Sequence, residues 1–98
     1  MAVALTSHDF EDQEVTRWVL IVESNLGRQH RLWNALELQG FGVVTVATVA
    51  EGLGCLAVMR PALVVAGELP GARDLLDRAR AIGIEAASYR DVVSKELA

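Results

Sequence analysis

The sequence predicts a small α/β domain: a parallel sheet of about four strands in the order 2-1-3-4, with helices on both faces. Three observations predict it. WVLIV (18–22) and ALVVA (62–66) are short and apolar throughout, as expected of strands covered on both faces, and FGVVTV (41–46) is a further short strand between them. Between them lie helix-length segments bounded by capping residues and by Gly or Pro. Strand and helix alternate at the spacing of βαβ units, whose right-handed crossovers build a parallel sheet.

Taken in order, residues 1–15 are expected to form a flexible acidic tail and residues 16–98 a single domain. The first strand is WVLIV, with Trp18 expected in the core. Asn25 can cap a helix running to about Gln39, with Leu32, Ala35, Leu36 and Leu38 as its apolar positions and Gly40 as its stop. FGVVTV is the second strand. Thr48 is a suitable N-cap for a helix over 49–59 with Leu53, Leu56 and Ala57 inward, although Gly52 and Gly54 weaken it by up to about 1 kcal/mol each. Pro61 closes that connection before the third strand, ALVVA. GELPGA (67–72) has turn chemistry, and a helix from about Arg73 to Ile82 turns Leu75, Leu76 and Ala79 inward before Gly83. IEAAS (84–88) is a weaker fourth strand, and 90–97 a short closing helix.

The composition narrows the function. More than half of the 98 residues are apolar, which favours a folded chain. Of the 13 acids, four (Asp9, Glu11, Asp12 and Glu14) precede Arg17, whereas none of the nine bases does, so the net charge of −4 belongs to the tail. No basic stripe suited to nucleic acid is present. Cys55 is the single cysteine, which leaves no intrachain disulfide or zinc framework and fits a reducing cytoplasm. The start lacks the basic region of a signal peptide, and no apolar run reaches membrane-span length.

In open parallel sheets, ligands sit at the carboxyl ends of the strands, at the switch point. Here that point collects Glu23, Ser24, Ala66, Gly67 and Glu68, with Ser88 nearby. The chain resembles the receiver domain of bacterial two-component response regulators over about 17–71, and more loosely over 72–98. The resemblance is carried by VLIVESN (19–25), by LWNALELQGFGVVTVATVAEGL (32–53) and by RPALVVAGELPG (60–71). It implies a doubly wound, flavodoxin-like sheet and cytoplasmic signalling. The departures lie in the chemistry. The family's acid pair is Glu23-Ser24 here, and its phosphoacceptor aspartate is Ala66, which cannot form an acyl phosphate. The family's switch Ser/Thr corresponds to Ser88. Its lysine has no clear equivalent, unless 84–89 is taken as strand five and Lys95 as that lysine. The chain is expected to end before a fifth strand and helix, as a short, degenerate pseudo-receiver.

Each feature also has a plainer role. Hard cations want several oxygens, and Glu23 with Glu68 is a thin ligand set, so no metal or other cofactor is expected and Glu23 is expected to be a solvated strand-end acid. Ser24 and Ser88 have no histidine nearby in sequence to act as base. His8 is in the tail and His30 on the first helix, so capping is the expected role of both serines. The glycine pairs match no dinucleotide fingerprint. Cys55 is expected to be a small buried filler. Trp33 points off its helix's buried face and either lies over the sheet or anchors a partner, since Trp is enriched at interface hot spots.

The expected function is therefore phosphorylation-independent regulation by protein–protein contact, and not an enzyme. With one sheet face expected under the first helix alone and strand four an open edge, the expected partner is another signalling protein or a second copy, a homodimer, around Trp33, Ile84, Ala86 and Tyr89. The alternatives are a small-ligand module at the former acidic pocket, or a receiver phosphorylated on a non-standard acid such as Glu68.

Overall fold

Four parallel strands form one sheet in the order β2-β1-β3-β4. The structure, a computed structural model, describes residues 17–97, with side chains through residue 94. The acidic tail and the Lys95 side chain lie outside that description. The strands are β1 (Trp18–Val22), β2 (Gly42–Val46), β3 (Leu63–Ala66) and β4 (Glu85–Ser88). The helices are α1 (Leu26–Glu37), α2 (Val49–Val58), α3 (Ala72–Ala81) and α4 (Tyr89–Leu97). This is the predicted flavodoxin-like arrangement. No helix among the described residues is long and apolar enough to cross a membrane.

Local chemistry sets the boundaries. Asn25 caps α1, its Oδ1 accepting from the Arg28 N–H at 2.9 Å. Thr48 and Glu51 form a reciprocal capping box at the start of α2. The Ser88 hydroxyl oxygen accepts from the Asp91 N–H and caps α4. The first and third helices end alike. Gly40 and Gly83 take φ of 91° and 88°, and the next N–H groups, of Phe41 and Ile84, reach back to the carbonyls of Leu36 and Ala79.

β1 fills the middle of the sheet, so both of its faces are covered. Leu20 and Val22 face one core with Val64, Leu56 of α2 and Leu75, Leu76 and Ala79 of α3. Val19 and Ile21 face the other core with Val65 and Leu32 and Leu36 of α1. That second face is not covered by α1 alone, as the sequence suggested. Tyr89, Val92 and Val93 of α4 pack against it as well. The closing helix follows β4 without a turn and folds back over the sheet.

Sequence expectations about the burial of five residues are corrected. Leu38 lies beyond the last turn of α1 and is 88 % exposed. Leu53 and Ala57 lie on the outer side of α2 and are exposed. Trp18 is 37 % exposed despite its place in a central strand, because its ring spreads sideways over Gly42. Glu23 is not solvated but fully buried.

The two glycines of α2 are not equivalent. A Cβ on Gly52 would sit 2.8 Å from Val22 Cγ2, inside the core, whereas one on Gly54 meets nothing within 4 Å. Gly54→Ala should therefore stabilise the chain by about 0.5–1 kcal/mol through helix propensity alone. Gly52→Ala should destabilise it by about 1 kcal/mol, because overpacking against a stiff β-branched neighbour outweighs the same propensity gain. Urea denaturation of the two variants checks the opposite signs.

Candidate functional site

The carboxyl ends of the strands converge as the topology requires, and Glu23 is their organising residue. The β1–β3 register pairs Val22 with Ala66, so the next residues, Glu23 and Gly67, lie side by side. The Glu23 carboxylate lies across Gly67 so closely that any Cβ there would collide with it. Its side chain is 0 % exposed, and a buried carboxylate must be hydrogen-bonded or paired. Three donors meet that need. The Asn25 N–H donates to Oε2 at 2.9 Å, Arg28 Nε to Oε1 at 3.2 Å and Arg28 Nη2 to Oε2 at 3.4 Å. Gln29 Nε2 donates to the Glu23 main-chain carbonyl. Arg28 reaches this place because α1 starts at Leu26, which puts its third residue directly over the strand end. The guanidinium also lies 5.8 Å from the Tyr89 ring centroid, which ties α1 to α4.

Beside this pair is a cleft of about 210 Å³ lined by Arg28, Ala66, Glu68, Ser88, Tyr89 and Arg90. Ala66, which lines it at the end of β3, offers no acid, base or nucleophile. Glu68 points away from Glu23 and pairs with Arg90 at 2.9 Å, both side chains being largely exposed. Such a surface pair contributes little to stability, but it supplies the cleft with balanced charge. Ser88 enters the cleft with its oxygen already accepting the α4 cap bond. Ser24 is exposed, and His30 lies exposed on α1.

The expected pocket residues thus meet only in part. Ala66, Glu68 and Ser88 line one cleft. Glu23 lies behind it with its carboxylate committed to Arg28. Among the described residues no group of three or more His, Cys, Asp or Glu side chains is placed to hold a metal ion. A cation seeking Glu23 would have to displace the arginine. The four interface candidates are not brought into one patch. Ile84 is buried and Ala86 half-buried in the core beneath α2 and α3, whereas Tyr89 packs on the opposite face. Trp33, on α1, is 37 % exposed, and Leu26, seven residues before it on the same helix, is 73 % exposed. The residue missed from the sequence is Arg28. Its signal was present: the first base of a helix, in its first turn, following a strand-end acid.

Compared with protein-family models, with curated proteins and with solved structures, the chain has no match.

Proposed function

We propose that this chain is a pseudo-receiver: a regulatory protein of the bacterial cytoplasm that acts by protein–protein contact and without phosphorylation. One observation carries the proposal. At the switch point, where a phosphoacceptor carboxylate would be required, Ala66 has only a methyl side chain, and the acids there are paired from within the chain, Glu23 with Arg28 and Glu68 with Arg90. The acid-rich pocket has become a self-satisfied structural joint between α1, β3 and α4. Acyl transfer, hydrolysis and metal-assisted chemistry would each need a group that this joint does not offer.

Trp33 and Leu26, exposed on α1, support α1 as the contact surface. The experiment has two arms. The chain is incubated with magnesium and acetyl phosphate and examined for base-labile phosphoryl label, and none is expected. The partner held by the wild-type chain is then titrated against Trp33→Ala, which should weaken binding by about tenfold or more while the melting transition stays in place. Stoichiometric base-labile label would overturn the proposal in favour of a receiver using another acid.

The 210 Å³ cleft favours a second reading, a small-ligand module, in which the exposed Arg90 exchanges its Glu68 partner for an anionic ligand. Calorimetric heat with small carboxylates or phosphates, lost in Arg90→Ala, would support that reading over the first.

A further inference from the structure

We propose that the β2 edge is a self-pairing surface: two copies of this chain join their β2 strands antiparallel about Val44, making one continuous sheet. This does not rest on the proposed function.

The two edges of the sheet differ. β4 carries Glu85, and its Ala86 carbonyl accepts from Arg80 Nη2 at 3.1 Å, so a charged side chain already occupies that edge. Charge of this kind is how edges are protected from pairing. Among the described residues β2, GVVTV, pairs with β1 alone and has no charged residue and no proline, and a charged side chain reaches this edge just past the strand end, where Glu51 accepts from the Ala47 N–H. The Gly42 N–H donates to the Arg17 carbonyl, and the Val46 carbonyl accepts from the Glu23 N–H. The main-chain groups of Gly42 and Val46 therefore face β1. Main-chain direction alternates along a strand, so the N–H and C=O groups of Val43 and Thr45 point out of the sheet.

Three features make a second copy the occupant. The first is register. Pairing Val44 with its counterpart sets Val43 opposite Thr45 and Gly42 opposite Val46, which uses all five residues. The outward groups of Val43 and Thr45 then meet as hydrogen-bonded pairs, with Val44 the non-hydrogen-bonded pair on the axis. Opposed residues share a face, so the helix layers of the two copies run on continuously.

The second is charge. Arg17 lies over Phe41 at one end of β2, 5.8 Å from the ring centroid. At the other end Glu51 accepts from the N–H groups of Ala47 and Thr48 at 3.1 Å. The antiparallel register sets Phe41 of one copy beside Ala47 of the other. Arg17 of one copy, on the side of Phe41, and Glu51 of the other, on the side of α2, are thus brought to the same corner of the paired sheet from its two faces, and the two-fold axis makes that approach twice.

The third is Trp18. Its ring lies over Gly42, where a Cβ would be 2.7 Å from Cε3, and it remains 37 % exposed. In this register Val46 of the second copy falls just beyond Gly42 on the same face, where it covers the open ring.

The test is sedimentation of the full chain across concentration, where a monomer–dimer equilibrium is expected. Thr45→Pro removes an outward N–H that no strand among the described residues uses and should weaken the dimer by about tenfold or more. Arg17→Glu should weaken it as well, and Arg17→Glu combined with Glu51→Arg should restore it to within about threefold. In a Cys55→Ser background, Val44→Cys should form a disulfide-linked dimer on oxidation, because a non-hydrogen-bonded pair brings the two Cα atoms to about 4.5 Å. If Thr45→Pro unfolds the chain, the charge swap and the cross-link decide. A chain that stays monomeric up to about millimolar concentration overturns the proposal. So does a dimer indifferent to the charge reversal, or a Val44→Cys chain that forms no cross-link. Protected Val43 and Thr45 amides in a monomeric chain would also overturn it, by putting residues 1–16 on the edge.

Discussion

Ala66→Asp should lower stability by about 3 kcal/mol, and magnesium should return part of that loss. Ala66 is 1 % exposed, at the end of β3 between Val22 of β1 and Ser88 of β4. A carboxylate introduced there would be buried one residue from Glu23, in a joint whose only adjacent buried-pair cation, Arg28, is already engaged at both Nε and Nη2. Two acids would then share one guanidinium. A hard cation relieves that conflict, because two carboxylates with main-chain oxygens make a ligand set that one carboxylate does not. Bound cation would stabilise the variant by mass action, about 1–2 kcal/mol at tenfold or more above its dissociation constant. The wild-type chain should show no magnesium response. Urea denaturation of both chains with and without magnesium reads the difference. An equal magnesium shift in the wild-type chain would mean that the wild-type pocket itself takes the cation, which would remove the main support for the proposed phosphorylation-independent role.

The fold was legible in the sequence because its signals are local. Continuous apolar runs marked β1, β2 and β3 to within a residue, and Asn25, Thr48, Gly40 and Gly83 marked helix ends by side-chain or backbone chemistry that acts within one turn. The site was legible only as a list of neighbours. That Glu23 and Ala66 converge follows from strand order. That Glu23 is buried depends on a base five residues later and on a side-chain-free position in another strand's loop, a combination that no periodicity encodes. Trp18 was misjudged for the same kind of reason. Hydrophobicity placed it in the core, but Gly42 on the adjacent strand opened a lateral path that carries the ring to the sheet edge. α4 was underestimated because its apolar positions, Tyr89, Val92 and Val93, make a short stripe that gains meaning only when the uncovered sheet face is in view.

Gly67→Ala tests the joint from the side of β3, and the expected loss is about 3 kcal/mol. Gly67 has ordinary backbone geometry, with no positive φ, so the substitution brings no backbone strain. What it brings is a methyl group in the space held by Glu23 Oε1. The carboxylate must move, and moving it breaks the fork to Arg28 and the bond from the Asn25 N–H while the charge remains buried. Removing the carboxylate should remove the penalty. Glu23→Ala alone is expected to cost about 2 kcal/mol, because Arg28 is half-exposed and can turn to water whereas the α1 start loses its anchor. The double variant should then lie within about 1 kcal/mol of Glu23→Ala, giving a coupling of some 2–3 kcal/mol between two residues far apart in sequence. Additive losses in a urea double-mutant cycle would mean that Glu23 does not lie across Gly67, and that the carboxylate is open to the cleft. A strongly coupled cycle would instead identify Glu23 as a packed structural element. Its role would then be its fit against a glycine and an arginine, with its charge already neutralised from within.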